Sequence, residues 1–212
     1  MMQRVMLILV LLVSQSLFSQ ELFFNLGSNS TVYDYKNSLG QSNPNLRSST
    51  GSFYEFGYEF LFGRASSSME SNFSYAASLT LNQFNAKGGD FNNTYFWNTS
   101  YLGIQNAVLG TVVRSSKNTF VVKLKAGLNT STIVKGEQTL NNMVYDIKNH
   151  SEFKGLLVQP MGGVDLRLEL TESILLSAGY NYSKAFNVSN KSSEKLGFST
   201  HQIQLGLHYN IN

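Results

Sequence analysis

Cysteine is absent from this chain and proline occurs only twice. Without cysteine there is no disulfide scaffold, no thiolate metal site and no sulfur to carry a lipid anchor. Charge is scarce at 14% of residues, against 13% aromatics. That balance excludes disorder, because disordered chains are charge-rich and aromatic-poor. The formal net charge of +3 is scattered and forms no basic stripe, so no nucleic-acid partner is expected. No segment sustains helical spacing of its apolar residues. A membrane-spanning helix is missing too: the apolar run 5–13 (VMLILVLLV) falls short of the about 20 residues that a spanning helix needs.

What the chain does have begins at its N-terminus. Arg4 is the only charge in 1–20, followed by that apolar run and the small or polar cluster 14–19. This is the layout of a cleaved secretory signal peptide. Residues 1–20 are therefore expected to be removed near Gln20 or Glu21, leaving 21–212 as one exported domain.

The domain alternates with period two, as strands do. Tyr54, Phe56, Tyr58, Phe60 and Phe62 form one aromatic face, with Glu55, Gly57 and Glu59 on the other. Similar alternation runs through 73–82, 120–128, 158–169, 174–183 and 202–211. Residues 21–33 make an opening strand, and 94–113 is strand-like with a change of phase near Tyr101–Leu102, the mark of a bulge. Eight strands result. The connections 63–69, 114–118 and 170–173 read as short, and 34–50, 85–93, 129–154 and 185–197 as long and rich in Asn, Ser, Lys and Gly. Outer-membrane barrels have short periplasmic turns and longer outer loops.

One face of nearly every strand is small, polar or charged. A soluble barrel would bury its large apolar residues, whereas here the apolar face has the character of a lipid contact. The predicted fold is an all-β, eight-stranded antiparallel up-and-down transmembrane β-barrel, or a ten-stranded one if 129–154 adds a hairpin. Closure should pair 22–26 with 203–211. Six glycines on the polar face, among them Gly27 and Gly206, suit the narrow lumen of a small barrel. Tyr33, Trp97, Tyr180, Tyr182 and Tyr209 are candidates for the aromatic girdles at the membrane boundaries. Arginine at Leu205 or Phe56 should impair assembly, and Gln204→Arg should be milder.

With these strands in place, YLGIQNAVL (101–109) and TFVVKLKAGL (119–128) resemble the middle strands of the Bacteroidetes outer-membrane β-barrel family typified by PorT-like proteins. ILLSAGYNYSKAF (174–186) with HQIQLGLHYNI (201–211) resembles that family's last hairpin. The resemblance implies a small barrel in the outer membrane of a Gram-negative bacterium. The chain departs from the family at Gly103 and Gln105, where Glu and Pro are common, and in ending on Asn212.

Candidate chemistry lies on the polar face. Glu55, Glu59, Lys123, Lys125, Asp165, Arg167 and Glu169 all face the lumen, as an ion path or as a neutralising plug; buried charges must be paired, and the plug is favoured. His150-Ser151-Glu152 offers hydrolase residue types, but a triad is a matter of geometry rather than adjacency. His201 and His208 are an odd number of positions apart and cannot share a metal on one strand. No catalytic residue, cofactor or metal is expected. The segments 132–134 and 143–147, either side of Gly136, could extend a hairpin above the membrane and offer an edge for strand addition.

The expected role is structural or interactive: a plugged barrel presenting four outer loops, with outer-membrane lipid around it. Periplasmic chaperones and the barrel-assembly machinery are its expected partners during biogenesis, and a protein partner at the loops is a further expectation. The alternatives are a small pore or a transport or secretion-apparatus component, a lipid-modifying enzyme, and a soluble ligand-binding barrel.

Overall fold

The computed structural model describes residues 20–36, 39–41, 45–61, 73–90, 93–115, 119–189 and 195–211. The segment up to residue 19, expected to be a signal peptide, Phe62 and the connection expected at 63–69 lie outside the described residues. Nine strands follow in chain order: β1 (Gln20–Lys36), β2 (Arg47–Leu61), β3 (Phe73–Asp90), β4 (Asn93–Arg114), β5 (Phe120–Leu140), β6 (Met143–Asp146), β7 (Leu156–Glu169), β8 (Ile174–Asn187) and β9 (Lys195–Ile211). Among the described residues there is no helix.

All pairings are antiparallel. β1, β2, β3, β4, β5, β7, β8 and β9 pair in succession, and β9 returns to β1. The closing ladder runs from Gln20↔Ile211 to Lys36↔Lys195 and includes Leu22↔Tyr209 and Leu26↔Leu205, the segments expected to close the barrel. The ring therefore holds eight strands. β6 pairs only with the far end of β5, so 129–154 contributes one short strand to a raised hairpin and not two more staves. The turn of that hairpin is Asn141–Asn142, both at positive φ (49° and 64°), as a two-residue hairpin turn requires. Its arms are 137–140 and 143–146; the expected arm 132–134 belongs to the barrel wall.

The wall is inside-out. Leu205 is 59% exposed and Ile104 56%, while Glu59 is 1% and Asn29 0% exposed. Strand period two produces this directly: even positions of β9 and β3 and odd positions of β1, β4 and β8 point inward. In a closed ring every ladder group is paired, so an apolar exterior can meet hydrocarbon without exposing backbone.

Two expectations are corrected. The phase of β4 does not change near Tyr101–Leu102: Tyr95, Trp97, Thr99, Tyr101, Gly103 and Gln105 all keep the inward parity, and the bulge of β4 itself comes later, at Val112 between Thr111↔Lys123 and Val113↔Val122. The irregularity at Tyr101 sits on the neighbouring strand, where Ser100↔Lys135 and Tyr101↔Ile133 leave Val134 as the extra residue of β5. The apparent shift in β4 arose because its inward residues change from aromatic to small and polar along the strand. Connection length also fails to sort the two ends. β3 and β4 run on together to Asp90↔Asn93, so the expected loop 85–93 is largely a continuation of the ladder. What distinguishes the end opposite the termini is ladders that continue beyond the ring, in β3–β4 and β5–β6.

Candidate functional site

The lumen is the only place where the fold gathers charged side chains from many strands among the described residues. Arg167 lies at its centre. Its Nη1 donates to Glu21 Oε1 (2.6 Å), Nη2 to Glu59 Oε2 (2.7 Å) and Nε to Asp165 Oδ2 (2.8 Å). Lys123 Nζ and Ser74 Oγ both donate to Glu59 Oε1 at 2.5 Å. Glu55 Oε1 accepts from Ser78 (2.6 Å) and Gln105 (2.5 Å), with Lys125 Nζ at 3.6 Å, and Glu55 Oε2 accepts from Asn25 (2.8 Å). His208 Nδ1 lies 2.5 Å from Glu21 Oε1 and its Nε2 2.8 Å from Ser177 Oγ.

Six of the seven residues expected in the lumen are brought together here. Glu169 is not. It is the last residue of β7 and is exposed; it has the inward parity but has passed the end of the wall, and its backbone N–H bonds to Thr119 O. Two members went unassigned in the sequence, Glu21 and His208. Both carry the inward parity of their strands, which was the available signal; their convergence depends on β1 and β9 being neighbours at the seam.

The four carboxylates of Glu21, Glu55, Glu59 and Asp165 thus face Lys123, Lys125 and Arg167, with His208 on Glu21. All are buried. Isolated charges in such a place would be costly, and pairing with further hydrogen bonds offsets the cost. Glu21, Glu59 and His208 also have ligand atoms within 4.8 Å of one another. A divalent ion does not suit that cluster, because Arg167 and Lys123 already neutralise its carboxylates and hold two positive charges beside it.

Beside the charges, Phe23 packs with Ala76, Ala107 and Leu109 and stacks on His208 at 5.5 Å. Towards the loops a layer of amides and hydroxyls follows, including Asn29 to Asn82 (3.1 Å) and Asn129 to Thr80 (2.8 Å). Beyond it the filling turns apolar. Phe84, Phe198, Tyr33 and Tyr101 interlock, with Phe84 and Phe198 ring centroids 4.5 Å apart. Ile147 and Phe153, from the connection after β6, fold back into the mouth, and Phe153 meets Trp97 edge-on at 5.2 Å.

The expected girdle is corrected accordingly. Tyr180, Tyr182 and Tyr209 are exposed on the outer wall. Tyr33 and Trp97 instead face inward: Tyr33 is buried and donates to Phe84 O at 3.0 Å, and Trp97 packs on the same apolar cluster. A lumen with hydrophilic filling throughout is likewise replaced by one that is polar near the termini and aromatic near the loops.

His150, Ser151 and Glu152 lie in the turn after β6. Ser151 Oγ is directed to Glu152 at 3.4 Å, and the His150 backbone closes the turn through Phe153 and Lys154. A serine relay through imidazole is not formed. His201 and His208 face opposite ways, His201 outward against Tyr180 Oη at 2.7 Å.

No protein-family model and no curated protein matches the chain in sequence. Among solved structures, it is similar to Neisserial surface protein A (14% identity, TM-score 0.47, 89% of this chain and 97% of that one). It is also similar to the outer membrane protein OprG from Pseudomonas aeruginosa (10% identity, TM-score 0.48, 92% and 97%) and to Ail of Yersinia pestis (11% identity, TM-score 0.40, 90% and 98%). The assignment of the fold rests on the closed ladder described above.

Proposed function

We propose that this chain is an outer-membrane protein whose barrel is a plugged scaffold, with a structural or interaction role carried by what projects from its loop end. The observation that carries the reading is the lumen: charges bonded to one another from wall to wall, capped by the Phe84–Phe198 aromatic layer and by the inserted Ile147 and Phe153. Every charged residue in this network has an oppositely charged partner within it, which supports a plug over an ion path. The proposal includes export through the signal segment and no enzymatic activity. PorT-like membership is the family reading, resting on the segments 101–109, 119–128, 174–186 and 201–211.

The exterior supports a membrane setting. An aliphatic and aromatic wall of this extent would be an aggregation surface in water and is the expected surface against acyl chains. The test has two arms. Cell fractionation should place the mature chain with the outer membrane. Purified protein in planar bilayers should insert and stay electrically silent; steady single-channel steps would favour the pore reading instead.

A further inference from the structure

At the loop end the outer wall carries one cation placed directly opposite another. Arg47 on β2 is the ladder partner of Lys87 on β3. Both are exposed. Like charges directly opposite on neighbouring strands destabilise a sheet, and among the described residues neither Arg47 nor Lys87 forms an ion pair with an acid. The placement calls for an external counter-anion.

We propose that Arg47 and Lys87 bind the phosphate of a membrane lipid head group against the outside of the barrel. The inference rests on the membrane-spanning reading above. Three features favour a lipid. Arg47 and Lys87 lie on the outer face, where head groups would stand. Along β3 the outward residues pass from Leu79 and Leu81 through Gln83 and Asn85 to Lys87, so the cation comes after the apolar band and not within it. Arginine offers a planar fork that matches phosphate oxygens, and lysine beside it adds a second point charge. Phe96, the ladder partner of Lys87 on β4, is exposed beside the pair and supplies apolar contact for the adjoining part of the lipid.

The test uses the mature protein folded into phosphatidylcholine nanodiscs doped with diphosphoryl lipid A. Lipid retained after mild detergent extraction is counted by native mass spectrometry. Dephosphorylated lipid A and inorganic phosphate as competitor form the other arms. Wild type should retain the phosphorylated lipid. The double variant Arg47→Gln/Lys87→Gln should retain roughly 30-fold less, since each cation near a membrane surface contributes about fivefold. Lys148→Gln, an exposed loop cation, should match wild type, and the heat-shifted gel band shows that each variant has folded. Equal retention by the double variant overturns the proposal. So does equal retention of the dephosphorylated lipid, or displacement by inorganic phosphate, which would mark a site for the free anion. Failure of wild type to enter the nanodiscs at all would overturn the membrane reading and this proposal with it; insertion without phosphate preference overturns this one alone.

Discussion

Arg167 and Glu59 join opposite walls of the barrel: β7 and β2 are four strands apart whichever way the ring is followed, and their side chains meet at 2.7 Å across 108 residues of sequence. The contact spans the full diameter, and Glu21 and Asp165 converge on the same guanidinium. An eight-stranded ring is about the size that side chains can fill from both sides, so one arginine can act as a strut.

Removing the strut should be severe. Arg167→Met leaves Glu21, Glu59 and Asp165 buried without their shared cation, and breaking a buried pair in this way costs about 3–5 kcal/mol. The loss should appear as a lowered denaturant midpoint in detergent micelles. Glu169→Gln, at the exposed end of β7, should shift stability by no more than about 0.5 kcal/mol. Comparable losses in both would remove the distinction drawn between them.

Leu205→Arg places a charge on the lipid-facing wall, at a cost of roughly 2–4 kcal/mol at mid-depth. Heat-modifiable gel migration should show less folded protein. The milder outcome expected from sequence for Gln204→Arg changes with the structure. Gln204 is buried, its Oε1 accepts from Asn181 at 3.1 Å and from Gln202 at 2.8 Å, and it packs against Gly27 and Gly179. Arginine there is longer than the space beside Gly27 and Gly179 allows, and folding should fall about as far as in Leu205→Arg.

Tyr101 is buried in the aromatic layer with its hydroxyl unbonded. Tyr101→Phe keeps the ring and removes a desolvated polar group, which should stabilise the barrel by about 1 kcal/mol. Phe198→Ala opens the same layer and should cost about 3–5 kcal/mol. Equilibrium unfolding of the pair reads both signs; a destabilised Tyr101→Phe would point to an unrecognised partner for that hydroxyl.

Gly206 lies where a Cβ would meet Asn25 Oδ1 and Ser177 Oγ, both part of the wall around His208. Gly206→Val should therefore prevent closure of the β1–β9 seam. The variant is expected to run as unfolded protein without heating, whereas Gly110→Ala, which meets only the Phe73 ring at 3.2 Å, should fold.

Much of the fold was legible because a strand has only two faces. Glu55 and Glu59 on one side and Phe56 and Tyr58 on the other are assigned by parity alone, and so are Lys123, Lys125, Asp165 and Arg167. Composition was misleading where it ran against parity. Tyr33 and Trp97 look like girdle residues because aromatics usually mark the membrane boundary, yet their positions are inward and their rings fill the mouth. Glu169 shows the opposite failure: its parity is inward, but parity does not say where the wall stops.

The alternation of the chain by itself determined the strands, their inside-out sidedness and the set of charges turned to the interior, because period two is a local property of the backbone. Only the tertiary structure decided which charges meet, that the lumen changes from ionic to aromatic along its axis, and that Ile147 and Phe153 return to close it. Those outcomes depend on the stagger and closure of the ring, which bring residues of distant strands to one height, and no local pattern encodes that height.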